Sequence, residues 1–207
     1  MQLKYNSYKD IKLKDYIAFI NYFTDADDQT LEWAHVALFA GMKFSEVKQM
    51  KVNDYIKLKV QLSKIYEELD NLQPINYVMY KDIQYNFNLN LENVGVAQYS
   101  ALENVEYEHR DNFWELLPNI VAHLMYTNDL IINGEIFFDG NRVDEFYDVV
   151  MNISVAEIFA VHKAYALKKK ILLKRLDISI AALQEMETMK MELMKIAAAK
   201  NLEINLN

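Results

Sequence analysis

A mainly α-helical fold, a helical bundle carrying one or two small β hairpins and a long C-terminal helical element, is what this sequence predicts. Three observations carry that reading. Only 4 Gly and 2 Pro punctuate 207 residues, too few for a many-turned all-β fold. Apolar residues recur at three- and four-residue spacing along most of the chain, and a hydrophobic content of 52% gives those stripes a core to share. From Ser154 to the last residue neither Gly nor Pro appears, and Ser154 with Glu157 forms a capping box at the start of that stretch. As one helix from Ser154 to Lys200 it spans ~70 Å at about 1.5 Å per residue; Asp177 is the point at which it would divide into two.

Taken in order, Leu13, Tyr16, Ile17 and Ile20 define a first short helix, widened by Phe19 and Phe23. The acidic turn Asp25 to Thr30 supplies N-caps for a second, Leu31 to Ala40, apolar nearly all round and stopped by Gly41. Ser45 is the expected cap of a single turn, Glu46 to Met50. Asn53 is the expected cap of a longer helix through Leu69, with Tyr55, Leu58, Leu62, Ile65 and Leu69 on one side.

At Tyr77 the period changes from helical to two. Tyr85, Phe87, Leu89 and Leu91 alternate with asparagines and pair with Tyr77 to Tyr80 across Lys81 and Asp82. Ala97 to Val105 and Phe113 to Tyr126 read as helices separated by the polar run Glu106 to Asn112, with Pro118 near a helix start or a kink. Leu130 to Phe138 reads as a second hairpin turning at Asn133 and Gly134, and Val143 to Met151 as a further helix. The predicted organisation is an N-terminal helical unit, residues 1–72, a mixed middle, 73–153, and the long helix or helix pair, 154–207.

Composition excludes several function classes. Without cysteine there is no disulfide, thiolate zinc site or cysteine nucleophile. A net charge of −8 argues against a general nucleic-acid surface, which needs clustered Lys and Arg. The one basic stretch, Lys163, Lys168, Lys169, Lys170, Lys174 and Arg175, reads as a solvated helix face. No apolar run has transmembrane length and the first residues lack a signal-peptide core, so the expectation is a soluble, unexported protein with no membrane partner.

Motifs with chemistry are few. Two Glu-x-x-His spacings, Glu32 with His35 and Glu106 with His109, match the paired motifs of di-iron carboxylate bundles, which add a Glu from each of two further helices. The second lies in a polar run between helices, where ligands do not project into a core. Glu157 and His162 are five apart, off a common helix face. His123 and His162 sit in apolar stripes as core or interface histidines. Asp139 to Glu145 lacks the calcium-loop order and reads as a turn capping the next helix. Phosphate loops and nucleophile elbows are missing. No catalytic residue, cofactor or metal is therefore assigned. The stripe Ala182, Met186, Met189, Leu193 and Ile196, rich in adaptable methionine, is the predicted partner contact, alternatively docked within the chain.

The order of parts has a counterpart among known proteins. The lysine-bearing start Ile11 to Ile17, the acidic turn, the helix ending in Gly41, the segment Val52 to Leu58, the strand pair and Val94 to Leu102 together resemble small helical structural and tail-assembly proteins of tailed bacteriophages. These include tail-assembly chaperones and the ring or cargo proteins of large virions. The resemblance spans about three quarters of the chain and leaves Ala166 to Asn207 outside it. It implies a non-enzymatic virion protein of the neck, tail or capsid interior, forming a ring or other homo-oligomer and meeting other phage structural proteins. It places the protein in the virion, and in the host cytoplasm during assembly. The competing readings are a tail-assembly chaperone absent from the mature particle, a metal-carboxylate enzyme of di-iron type, and an adaptor that regulates a host protein.

Overall fold

A computed structural model describes residues 2–175 and 177, and the chain is mainly helical with two small antiparallel sheets. The chain divides after Tyr165 into two units, Met1–Tyr165 and Ala166–Asn207. The boundaries read after residues 72 and 153 both fall within the first unit. Of the second, residues 166–175 and 177 are helical.

The first unit opens with four helices, α1 (Leu13–Tyr22), α2 (Asp28–Ala40), α3 (Phe44–Lys48) and α4 (Val52–Asp70). Asp27 caps α2, its side chain accepting the Thr30 N–H at 2.7 Å, and Gly41 ends it in the left-handed region at φ 65°. On α4 the stripe read from spacing packs inward, with Leu58, Leu62 and Ile65 buried. The caps of α3 and α4 differ from those expected. The Lys43 N–H is satisfied by the Glu46 carboxylate at 2.7 Å, so α3 starts ahead of Ser45. The Lys51 carbonyl already accepts from Asp54 and Tyr55, which puts Asn53 inside α4. Residues ahead of α1 are tied to the core: Leu3 and Tyr8 are buried, and the N–H groups of Lys4 and Tyr5 both donate to the Phe39 carbonyl.

Strands β1 (Tyr77–Tyr80) and β2 (Ile83–Phe87) form the expected hairpin, closed by Lys81 and Asp82, both at positive φ. Leu89 and Leu91 lie beyond the strand. Asn88 adds one further rung to β3 (Met125–Tyr126), its backbone N–H donating to the Leu124 carbonyl at 2.7 Å while its side chain donates to Gln98, and the Leu89 N–H then turns back to the Phe87 carbonyl at 3.0 Å.

Helix α5 (Val96–Glu108) runs past the expected end at Val105, and α6 (Phe113–Leu124) is shorter than expected. Met125 and Tyr126 leave α6 to form β3, pairing with Phe87 and Asn86, so the sheet order is β1-β2-β3. Pro118 sits in the second turn of α6, and Asn112 caps it by accepting from Trp114 and Glu115.

The second hairpin, β4 (Ile131–Ile132) and β5 (Glu135–Ile136), turns at Asn133 and Gly134 as read. It is followed by α7 (Val143–Asn152) and by α8, which begins at residue 155. The Ser154 and Glu157 box is present, with Glu157 N–H donating to Ser154 Oγ at 3.2 Å and Ser154 N–H to the Glu157 carboxylate at 3.1 Å. A bridge from Lys12 to Ser154, flanked by bonds from Leu13 to Ile153 and from Val155 to Ile11, ties the start of α8 to the start of α1. Val155, Ile158 and Val161 of α8 are fully enclosed with Leu117, Val121 and Leu124 of α6 and Val150 of α7. The core thus joins the residues read as N-terminal, middle and C-terminal parts.

Candidate interaction surface

Two surfaces of the first unit carry apolar or unsaturated groups that its own core leaves uncovered. The first is the outer face of α4. Val52, Ile56 and Val60 recur every four residues and are 72%, 51% and 55% exposed, on the side away from Leu58, Leu62 and Ile65. Four-residue spacing stacks side chains in one row along a helix, so three β-branched aliphatics form a continuous ridge. α4 is therefore apolar on two faces. The inward row was read from spacing; the outer row was not singled out in the sequence, and its exposure depends on where the other elements pack.

The second surface is the free edge of the three-stranded sheet. Among the described residues β1 pairs on one side only, with β2. In an antiparallel ladder the residues alternate between those whose N–H and C=O face the neighbour and those facing away. Phe87 N–H donates to the Asn76 carbonyl at 2.9 Å, which sets the alternation: Asn76, Val78 and Tyr80 face β2, while Tyr77 and Met79 turn their backbone groups outward. The Tyr77 and Met79 side chains are also more than half exposed. Beside this edge lies a groove of about 720 Å³ whose far wall includes Lys9, Ser154 and Glu157. It adjoins a second groove of about 630 Å³, lined by Lys9, Glu68, Ile75, Ala156 and Ala160. Edge position was not legible in the sequence, because it depends on where β3 joins the sheet.

The residues singled out for metal chemistry are engaged elsewhere. Glu32 accepts from Tyr55 Oη at 2.6 Å and from Lys59 Nζ at 2.7 Å, and both partners hold its carboxyl below the usual range. His35 turns the other way. Its Nδ1 lies 3.0 Å from the Leu31 carbonyl, which can only accept, so Nδ1 carries the proton and Nε2 accepts from Tyr16 Oη at 3.1 Å. Glu106 accepts from Tyr165 Oη at 2.8 Å, while His109, the C-cap of α5, sits 3.3 Å from Glu115. Neither pair converges. Among the described residues no three His, Asp or Glu side chains gather as a metal site.

His123 bonds the Asn119 carbonyl at 2.8 Å and stacks on Phe138, and His162 lies edge-on to Phe113. Asp139 caps a single turn ahead of α7 through the Asn141 N–H. Arg142, unremarked in the sequence, is a hub: its guanidinium reaches Asp129 at 2.7 Å, Glu145 at 3.0 Å and Thr127 Oγ1 at 3.0 Å, above the Phe146 ring. A cleft of about 760 Å³ opens at the start of α5 over the buried amides Asn88 and Gln98. The predicted contact stripe, Ala182, Met186, Met189, Leu193 and Ile196, lies outside the described residues.

No family model, curated protein or solved structure matches this chain. No helix among the described residues is long and apolar enough to cross a membrane.

Proposed function

We propose that this chain is a non-enzymatic structural or assembly protein of a bacteriophage virion, oligomerising with itself and meeting other virion proteins in the neck, tail or capsid interior. The observation that carries the assembly reading is the ridge Val52, Ile56 and Val60. An exposed apolar row costs solvation that a partner removes, at about 25 cal/mol per Å² covered, and a second copy of this chain presents the same row to be covered. The virion assignment rests on the resemblance of residues 11 to 165 to small helical phage proteins.

Light scattering of the full chain on a sizing column, at two concentrations, tests assembly. A mass above that of one chain, falling on dilution and falling further in Val60→Asp, is the expected result. A single-chain mass at every concentration overturns it. Mass spectrometry of purified particles tests the virion assignment: the intact chain in stoichiometric amount supports it, and its absence from particles overturns it.

A further inference from the structure

We propose that the cleft at the start of α5 binds a neutral saccharide, its hydroxyls taken by carboxamides and helix N–H groups and one ring face laid on Phe137. This goes beyond the assembly reading and does not depend on it.

The floor of the cleft is an acceptor fixed from behind. The His123 carbonyl can only accept, so Gln98 turns Nε2 towards it at 2.8 Å and leaves Oε1 for Asn88. Asn88 must then point Nδ2 at Gln98, 3.0 Å away, which turns Oδ1 to the other side. Asn88 is only 6% exposed, and no fully buried side-chain N or O among the described residues lacks a hydrogen-bond partner. No described residue donates to Oδ1, so its remaining exposure is to the cleft that Asn88 lines. A polar side chain this deep, with its acceptor held open, is a group that a ligand completes.

Donors stand beside it. Gly95 opens α5 without a side-chain cap, so the first-turn N–H groups of Val96, Ala97 and Gln98 lack intrahelical partners where these residues line the cleft. Asn90 and Asn93, ahead of α5, each add an exposed carboxamide that donates and accepts. Another wall, residues 134–138, supplies Glu135 and the Phe137 ring, which is 47% exposed.

This set of groups selects the ligand. Among the described residues that line the cleft there is no Lys, Arg or His, and Glu135 is the one charge, so a phosphate or carboxylate gains no counter-ion. A lone carboxylate beside an uncapped helix start gives a cation no net hold either. A neutral ligand remains, and the polar groups reach it from four separate stretches: Asn88, Asn90 with Asn93, the first turn of α5, and Glu135. A nucleobase concentrates its donors and acceptors along the edges of one plane. A saccharide carries hydroxyls, each both donor and acceptor, all round a ring whose C–H face packs on an aromatic side chain. At about 760 Å³ the cleft lies within the range of small-molecule sites, roughly 300–1,000 Å³.

Amide-detected NMR of the full chain tests the site, with galactose, N-acetylglucosamine, maltose and cellobiose as probes, each at about 10 mM, well above a Kd of about 1 mM. At least one of them should shift the backbone signals of Val96 and Ala97 and the side-chain NH2 signals of Asn88 and Gln98, whereas inorganic phosphate and adenosine should not. For that sugar, Phe137→Ala and Asn93→Ala should each raise Kd at least several-fold; both residues are exposed, so the rest of the spectrum stays in place. Val96→Pro removes one first-turn donor at a position where Gly95, at φ −63° and ψ 152°, already has the backbone a following proline needs, and it should weaken binding with α5 intact. No shift with any of the four sugars, shifts confined to other parts of the chain, or a Kd unchanged in all three variants overturns the site. Phosphate or adenosine taking the cleft in place of the sugars overturns it as well. Each of these outcomes leaves the assembly reading to its own light-scattering test.

Discussion

Tyr16 Oη donates to Nε2 of His35 at 3.1 Å, and this one bond joins α1 to α2 inside a ring of aromatic side chains. Phe19 and Tyr66 stand edge-on to the imidazole, and Trp114 of α6 stands edge-on to Tyr16. With Nδ1–H spent on the Leu31 carbonyl, the ring is held as the neutral tautomer. Burial pushes its pKa below the ordinary imidazole value of 6.5, against the opposing pull of the Leu31 carbonyl. His162, also buried, shifts the same way despite the nearby Glu106.

Both rings therefore bind a proton less tightly in the folded chain than in the unfolded one. The stability they contribute is complete above about pH 6.5 and is lost as pH falls through their lower folded values. Thermal melts between pH 7 and pH 5 should show a falling midpoint before the carboxylates titrate. In His35→Gln with His162→Gln that slope should flatten; an unchanged slope would assign it to other groups.

Gly41 ends α2 at φ 65°, and a Cβ built there meets Lys4 Cδ at 2.5 Å. A left-handed residue with a side chain costs about 1–2 kcal/mol, so Gly41→Ala should lower the unfolding free energy measured in urea by that much or more. Adding Lys4→Ala should recover the steric part of the loss and leave the conformational part. Full recovery would mean that the backbone geometry costs nothing here.

The first hairpin turns through Lys81 at φ 49° and Asp82 at φ 63°, a left-handed pair made without glycine. Two-residue turns of this kind favour Asn followed by Gly. Replacing the pair, Lys81→Asn with Asp82→Gly, should stabilise the chain by about 0.5–1 kcal/mol in urea unfolding.

Asn88 and Gln98 are buried together. Asn88 Nδ2 donates to Gln98 Oε1 at 3.0 Å, and Gln98 Nε2 donates to the His123 carbonyl at 2.8 Å. Asn88→Ala leaves the Gln98 oxygen without that donor, a loss of about 1–3 kcal/mol. Asn88→Ala and Gln98→Leu together should cost less than the sum of the two, because the stranded acceptor is gone. Additive losses in a double-mutant cycle would show the pair to be energetically independent.

Much of the element inventory was legible because it rests on local chemistry. The turn at Gly41, the hairpin turns at Lys81–Asp82 and Asn133–Gly134, and the Ser154 and Glu157 box each involve residues within a few positions of one another. The misread caps at Ser45 and Asn53 are local too, but there backbone groups or a neighbouring carboxylate did the capping, and several side chains competed for the same role. The early end of α6 was not legible. Met125 and Tyr126 continue an apolar helical stripe, and they become a strand only because Asn86 and Phe87, some forty residues earlier, present a ladder to receive them.

The sequence by itself determined the fold class, the absence of thiol chemistry and the amphipathic stripe that seats α4, since each follows from residue type and spacing. Only the tertiary structure decided which faces remain open. Spacing picks out the row that α4 buries, Leu58, Leu62 and Ile65, whereas the exposure of Val52, Ile56 and Val60 is decided by where the neighbouring elements pack. Nor can a strand be an edge until its neighbours are placed. Once β3 takes the far side of β2, the outward backbone of Tyr77 and Met79 is left facing the groove.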